Sequence, residues 1–474
     1  MSQRTRSAGR SGAEVTKVVI IGGGPGGYEA ALVAVQLGAD VTVVDRDGIG
    51  GACVLTDCVP SKTLIATSVR TTYAKDATRL GINIGDEAGG KSGVEVDLNT
   101  VNTRVKRLAR AQSEDTAARV AKEGVKIIRG EGRLVDPRIV AVGEQRVHAD
   151  VVLVATGAHP RELPTARPDG ERILTWRQLY DLEKLPEKLI VVGSGVTGAE
   201  FANAYQGLGS SVTLVSSRDR VMPTQDADAA EVLEGVFARR GMSVLGNTRA
   251  ESVTNTGSGV VVTLTDGRTV EGSHCLMTVG MIPNTGNIGL EEIGVRLDSG
   301  GFVQVDRVSR TSTPGVYAAG DCTGVNMLAS VAAMQGRIAM WHALGEAVSP
   351  LKLSTVASTV FTHPELAAVG ASEQDVRSGK VDARIVNLPL DTNPRAKMTD
   401  SKDGFVKLIC RRHTGIVLGG VIVGPRASEL ILGVSVAVQQ RLTVDEIAHT
   451  FAVYPSLSGS VTEAARSLMQ ASPE

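Results

Sequence analysis

The apolar positions of this chain fall into short runs that each end in a glycine or a polar residue. At 18–21 the run VVII meets a glycine cluster and then an alanine-rich stretch, which predicts a strand, a tight turn and a helix. A second apolar run, 41–44, ends at Asp45. The same pattern returns at 189–208, and the strand after it, 212–215, ends in Ser216, Ser217 and Arg218. Further strands are predicted at 151–154, where VVLV opens into a glycine turn, and within 313–320. Two such strand–helix–strand units predict an α/β protein with two Rossmann-like dinucleotide-binding folds. No apolar run approaches the roughly 20 residues of a membrane-spanning helix.

The glycine spacing carries the chemistry. Gly22, Gly24 and Gly27 form a GxGxxG turn. The first glycine makes the bend, the second lets the backbone approach a pyrophosphate, and the third lets helix and strand pack closely. The helix N-terminus supplies the field for the anion. Asp45 is placed to accept hydrogen bonds from a ribose diol. The second set, Gly193, Gly195 and Gly198, lacks that acid. Ser216, Ser217 and Arg218 suit a 2′-phosphate that an acid would repel, so this site is expected to prefer NADPH, with NADH weaker. One fixed and one exchanging nucleotide points to a flavin beside a nicotinamide.

Composition narrows the class. A chain of 474 residues predicts two to four domains. Its 50 basic and 51 acidic side chains nearly cancel, so no overall field favours nucleic acid or an anionic membrane. The first 14 residues are polar and contain Arg4, Arg6 and Arg10, which reads as a disordered tail rather than a secretory signal. A cytoplasmic location is the expectation. The glycine-rich insertion at 85–97 is expected to be an exposed loop. The seven histidines are scattered, and no metal-ligand cluster is read.

Five cysteines do not make a secreted disulfide framework. Cys275, Cys322 and Cys410 lie among apolar or small residues and are expected to be buried bystanders. Cys53 and Cys58, in GGACVLTDCVPSK at 50–62, differ. Pro60 suits a first helical turn, which puts Cys58 at a helix N-terminus, where a thiolate is stabilised. Five residues of regular helix advance about 7.5 Å, too far for a disulfide, so Cys53 is expected before the helix or in a distorted turn. Lys62, one turn beyond Cys58, can lend positive charge.

With these motifs in this order, the chain resembles the flavoprotein disulfide reductases: lipoamide dehydrogenase, glutathione reductase, mercuric reductase and soluble transhydrogenase. The resemblance runs from about Lys17 to the C-terminus. It implies an FAD-binding domain at 15–163 and 286–350, an NAD(P)-binding domain at 164–285, and an α+β dimerisation domain at 351–474. The stretch VASTVFTHPELAAVG, 356–370, matches the first strand and turn of that last domain. A homodimer is implied, with the C-terminal segment of one subunit completing the other's active site. By position, Cys53 matches the interchange thiol and Cys58 the flavin-facing thiol of a redox disulfide. Lys62 matches the lysine near flavin N5, and Glu200 its ion-pair partner. The resemblance adds Gly51, Thr156, Gly157, Gly320, Asp321, Leu328 and Ala329 to the FAD site, with Asp321 on a ribityl hydroxyl, and Gly280 to the nicotinamide site.

The pattern breaks near the end. Disulfide-reducing members carry His-Pro-Thr and then a glutamate, a dyad that moves the proton of the interchange thiol. This chain reads YPSLSG at 454–459, with Tyr454 in place of the histidine. A tyrosine, with a reference pKa of about 10, is a poor base at neutral pH but still donates a hydrogen bond. His449 is the nearest remaining histidine upstream. Positioned acid–base catalysis is worth roughly 10²- to 10⁴-fold, so its loss argues for an acceptor that needs no thiol base. The chain is therefore expected to be an FAD-dependent NAD(P)H:quinone oxidoreductase, nearest the actinobacterial lipoamide-dehydrogenase-like quinone reductases. Hydride would pass from NAD(P)H to flavin and on to a quinone or similar electrophile. A true disulfide reductase, a soluble transhydrogenase and a flavin-binding structural subunit are the alternatives, in that order.

Overall fold

The computed structural model describes residues 15–82, 84 and 93–469. The expected tail at 1–14 and residues 85–92 of the expected loop lie outside the described residues. The chain divides into two compact units.

The first unit takes the chain through Leu55, then Ala109–His159 and Ile282–Leu351. Its centre is a parallel sheet in the order Val316–Ala318, Val151–Val154, Lys17–Ile21, Asp40–Asp45, Lys126–Arg129. Val18, Val19 and Ile20 are almost wholly buried, because both faces of the sheet are covered and a strand there has no polar side to offer. Helices α1 (Pro25–Gln36) and α7 (Ala329–Ala343) pack against each other on one face. They meet at Gly26 and Gly336: a Cβ at Gly336 would stand 2.0 Å from the Gly26 carbonyl oxygen, so only glycine permits that approach. An antiparallel sheet of Gly132–Asp136, Ile139–Val142 and Gln145–His148 contributes to the core of the other face. The short helix α2 (Gly51–Leu55) carries Cys53.

The second unit comprises Thr56–Leu108, Pro160–Met281 and Lys352–Glu474. It holds α3 (Cys58–Asp76) and the start of α4 (Leu98–Lys122). Its parallel sheet runs Ser243–Leu245, Ser211–Val215, Lys188–Val192, His274–Met277, Ile173–Leu174, with α5 (Val196–Leu208) and α6 (Ala227–Arg239) following its strands. A second, antiparallel sheet is built from Ala357–Val360, Glu365–Gly370, Val417–Gly424, Phe405–Arg411 and Ala383–Pro389. Helices α8 (Glu373–Arg377), α9 (Pro394–Met398), α10 (Ala427–Gln440), α11 (Val444–Ala448) and α12 (Gly459–Leu468) belong to this C-terminal part.

Residues 56–108, expected within the FAD-binding stretch, group with this second unit. The reason is the contact between α3 and α5. Ser68 Oγ donates to the Ala204 carbonyl oxygen at 2.7 Å. Gly207 brings the helices close, since a Cβ there would stand 2.2 Å from Ser68 Oγ. Leu64, Phe201, Tyr205, Phe237, Leu366 and Phe405 then share one buried core.

Candidate active site

In the first unit the glycine turn has the shape its spacing predicts. Gly22 has φ +105°, and a Cβ there would stand 2.2 Å from the Ala155 carbonyl oxygen. At Gly27 a Cβ would stand 1.9 Å from the Gly22 carbonyl oxygen, whereas at Gly24 it would meet nothing within 4 Å. Gly24 is the N-cap of α1, with no side chain capping the helix and Pro25 following it. An open, uncapped helix N-terminus beside a backbone-only turn suits a pyrophosphate. Gly51, at φ +55°, presses on Gly24, with 2.9 Å from its Cβ position to the Gly24 Cα.

Asp45 accepts backbone N–H bonds from Gly23 (2.6 Å), Asp47 (2.8 Å) and Gly48 (2.6 Å). These bonds fix the carboxylate at the edge of a cavity of about 1020 Å³ that Gly22, Thr156 and Asn284 also line. Asn284 donates to the Thr156 carbonyl oxygen (2.8 Å), and its backbone N–H to that of Gly157 (2.9 Å). Gly320, at φ +83°, donates its N–H to buried Gln335 Oε1 at 2.9 Å and precedes the short helical turn Asp321–Thr323. Leu328 is the N-cap of α7, and Ala329 its first residue. The open turn, the anchored acid and the cavity fit an FAD.

In the second unit the glycine turn repeats these distances. Gly193 has φ +112° and would carry a Cβ 2.3 Å from the Thr278 carbonyl oxygen; Gly198 would carry one 1.9 Å from the Gly193 carbonyl oxygen. Gly195 again opens on nothing within 4 Å and caps α5 without a side-chain bond. Gly280, at φ +106°, is exposed. The strand end differs from the expectation at one residue. Ser216 is fully buried, with its Oγ 2.7 Å from Ser194 Oγ and donating to the Arg220 carbonyl oxygen at 3.2 Å. Its hydroxyl is taken up within the turn, where it also accepts the Arg218 N–H at 3.2 Å. Ser217 and Arg218 are exposed there.

Cys58 opens α3 after Asp57, an N-cap whose side chain makes no capping bond. Cys53 precedes it on α2, outside that helix, and each of the two cysteines is half-buried. Lys62, one turn into α3, places Nζ 2.8 Å from Glu200 Oε2 on α5. The other carboxylate oxygen, Oε1, accepts the N–H of Phe361 at 2.8 Å, and the ammonium lies 5.1 Å from the Phe361 ring centroid. Burial pulls the Lys62 pKa down, but the charges of Glu200, Cys58 and Asp57 outweigh it and leave it raised. Burial likewise pushes the Asp57 carboxyl up, against the pull of Lys62.

Phe361, Asn203 and Asp57 went unread in the sequence. Asn203 lies one turn after Glu200 and accepts the His363 N–H at 2.8 Å, so one face of α5 holds 361–363 in place. That i, i+3 spacing of two polar residues on one helix was a usable signal. His363 precedes a cis proline, and burial pushes its imidazole down to about 4.

Tyr454 is not brought to Lys62 within the chain. Its side chain stands 82 % exposed, before a cis peptide to Pro455, and Phe451 and Val453 are exposed beside it. His449 follows α11, with Nδ1 2.7 Å from the Asp445 carbonyl oxygen of its own helix. Cys275, Cys322 and Cys410 are buried, and burial pushes the Cys322 thiol up to about 11. Among the described residues, Asp226, Asp228 and Glu373 converge as metal ligands would, but Lys407 Nζ bonds all three.

Known proteins resemble this chain in sequence and fold. The sequence profile of the pyridine nucleotide-disulphide oxidoreductases matches residues 16–336, and the profile of their dimerisation domain matches 356–465. An NAD(P)H dehydrogenase (quinone) of Mycobacterium tuberculosis is 60 % identical over 470 residues, covering 96 % of this chain and 94 % of that protein. A dihydrolipoyl dehydrogenase of Geobacillus stearothermophilus is 31 % identical, covering 95 % of each chain. The crystal structure of LpdA from M. tuberculosis superposes with a TM-score of 0.91 at 58 % identity, covering 96 % of this chain and 100 % of that one.

Proposed function

The chain belongs to the pyridine nucleotide-disulphide oxidoreductase family, and from that premise we propose that it is an FAD-dependent NAD(P)H dehydrogenase that reduces quinones. One observation carries the reading. The Lys62–Glu200 pair is intact at 2.8 Å, while YPSLSG stands where a thiol base and its orienting acid are needed. Electron input is kept and the proton transfer of disulfide exchange is lost. The M. tuberculosis quinone dehydrogenase at 60 % identity supports the same acceptor class.

The net reaction joins NAD(P)H, a quinone and one proton to give NAD(P)⁺ and a hydroquinone. A bound flavin supplies a two-electron acceptor that passes electrons on singly or in pairs. The chain's own groups do the rest. The turn at Gly22, Gly24 and Gly27 and the α1 N-terminus receive the pyrophosphate, and Asp45 orients a ribose. Gly51, Thr156, Gly157, Gly320, Asp321, Leu328 and Ala329 complete that site. The turn at Gly193, Gly195 and Gly198, with Gly280, receives the nicotinamide nucleotide. Ser217 and Arg218 take a 2′-phosphate, which favours NADPH over NADH. Lys62, kept charged by Glu200, offers positive charge where negative charge develops. Cys58, at the α3 N-terminus, is the cofactor-side thiol, and Cys53 its optional partner.

The active form is a cytoplasmic homodimer. Tyr454, exposed on its own chain, serves the site of a second copy as a hydrogen-bond donor to a quinone oxygen. The division into FAD, NAD(P) and dimerisation domains at 15–163 with 286–350, 164–285 and 351–474 is part of this reading. A disulfide reductase is the second reading, favoured by the presence of both Cys53 and Cys58 and by dihydrolipoyl dehydrogenases at 31–33 % identity.

Steady-state NADPH oxidation by one preparation, with a benzoquinone, lipoamide, glutathione disulfide or thio-NAD as acceptor, separates the readings. The quinone is expected to dominate, and Cys53→Ser is expected to retain most quinone reduction. Lipoamide turnover equal to that with quinone, or its abolition together with quinone turnover in Cys53→Ser, would reverse the assignment.

A further inference from the structure

Asp226, Ser372, Asn393 and Thr443 each stand before a helix and accept a backbone N–H from its first turn. Asp57 holds the same position before α3, yet its side chain accepts none. Burial pushes its carboxyl up, and after burial the groups that act on it are Lys62, Glu200 and Arg177. The carboxylate therefore belongs with the lysine site and not with the helix cap.

Tyr180 reaches the same place. It lies on the helical turn Gln178–Asp181, 4 % exposed, with its ring tilted against Phe201 of α5 at 6.4 Å between centroids. Its hydroxyl is buried and bonds to no other group among the described residues. After burial, Asp57 acts on it most, followed by Tyr205, Glu200 and Cys58. A buried hydroxyl without a partner calls for a reason, and the ionised forms of Asp57 and Cys58 are acceptors that would supply one.

Charge balance links the two acids. Lys62 and Arg177 bring two positive charges, and Glu200 already matches Lys62 at 2.8 Å. With Asp57 and Cys58 both ionised, three negative charges would face two positive ones. Burial makes such an excess costly, so the two acids titrate as a coupled pair that keeps one proton.

We propose that Asp57 is the proton partner of Cys58, with Tyr180 the hydrogen-bond donor to the ionised carboxylate. In the transfer, the Asp57 O–H bond breaks and an S–H bond forms on Cys58. The negative charge moves from sulfur to carboxylate, and no electrons are gained or lost. The inference rests on Cys58 as the cofactor-side thiol and is independent of which acceptor the enzyme reduces.

The test uses holoenzyme carrying Cys53→Ser, in which Cys58 cannot form a disulfide with position 53. Alkylation of Cys58 by iodoacetamide is followed by mass spectrometry across a pH series. Asp57→Asn and Asp57→Ser both keep a residue favoured at a helix N-cap, so α3 is expected to start as before. Removing the carboxylate should move the alkylation midpoint to lower pH and raise the rate at about pH 6 by about 3- to 10-fold. Tyr180→Phe should shift it the same way by less, because Asp57 loses the donor that favours its ionised form. Asp57→Glu, which keeps the acid, should stay close to the parent. A midpoint unchanged or moved to higher pH in both charge-removing variants would overturn the proposal. So would Asp57→Glu shifting as far as Asp57→Asn, which would assign the effect to packing at the helix start. Tyr180→Phe titrating with the parent would overturn the part given to Tyr180. The expected shifts, without a long-wavelength thiolate–flavin absorbance on two-electron reduction of the wild-type holoenzyme, would overturn Cys58 as the cofactor-side thiol and leave its pairing with Asp57 standing.

Discussion

Lys407 lies on the strand Phe405–Arg411 with its side chain 1 % exposed, and three carboxylates surround its ammonium. Asp226 Oδ1 and Oδ2 lie 3.0 and 2.9 Å from Nζ, Asp228 Oδ2 lies 2.7 Å away, and Glu373 Oε2 completes the set. Asp226 and Asp228 stand at the start of α6, in the second dinucleotide fold, and Glu373 opens α8 in the C-terminal part. The lysine therefore ties these two parts of one unit together. Lys407→Met keeps the length of the side chain and removes the charge, leaving three acids facing one another. Removing one partner of a buried ion pair costs about 3–5 kcal/mol, because the other charge is left without compensation. The side chain of Asp226 is 5 % exposed and that of Glu373 is 18 %, but that of Asp228 is 40 %, so part of the charge is relieved by water. A loss of about 3 kcal/mol at neutral pH follows, near the lower end of that range. With a urea slope of about 3 kcal/mol/M for a unit of this size, the unfolding midpoint drops by about 1 M.

The pH dependence gives the sharper check. Burial pushes the Glu373 carboxyl up, but Lys407 and Arg377 outweigh it and hold it below its ordinary value; the Lys407 hydrogen bond does the same for Asp228. Folded values below the unfolded ones contribute stability that is full above the ordinary carboxylate range and is lost as pH falls through the folded values. In Lys407→Met that contribution is gone, and mutual repulsion instead favours protonation. The gap between wild type and variant should therefore be widest at pH 7.5 and narrow towards pH 5. Circular dichroism through a urea series at both pH values measures it. Asp226→Asn in the Lys407→Met background should recover at least a third of the loss. A midpoint shift below about 0.3 M at pH 7.5, or one that is the same at pH 5, would refute this electrostatic account.

Glu200→Gln keeps an acceptor for the Phe361 N–H but removes the charge that holds Lys62 up. Burial then prevails, the Lys62 pKa falls, and the alkaline limb of the quinone-reduction profile should move to lower pH, as a stopped-flow pH series would show. Arg218→Ala should raise KM for NADPH about 10-fold with little change for NADH, and Ser217→Glu should invert the preference; equal effects on both nucleotides would remove Arg218 from the phosphate site. His363, with a pKa near 4, should stay neutral, so a histidine NMR titration between pH 5.5 and 8 should leave one imidazole unmoved.

Much of this protein is legible in one dimension because its signals are local. A turn that needs a backbone without Cβ announces itself as glycine, and Gly22, Gly27, Gly193 and Gly198 all meet a carbonyl oxygen that a side chain would strike. Strands covered on both faces read as unbroken apolar runs, and a cysteine before Pro60 reads as a helix start. Three-dimensional packing decided what depends on distant partners. That Ser216 is buried, with the Arg220 carbonyl and the Ser194 hydroxyl around its Oγ, follows from packing and not from its place at a strand end. Phe361 became part of the lysine site only when α5 brought Glu200 to its N–H, 161 positions away in sequence. Lys407, in a strand that reads as core, survives burial only because three acids, the nearest of them 34 positions away, converge on it. A charge in a low-dielectric interior is defined by what surrounds it, and sequence order alone does not say what that is.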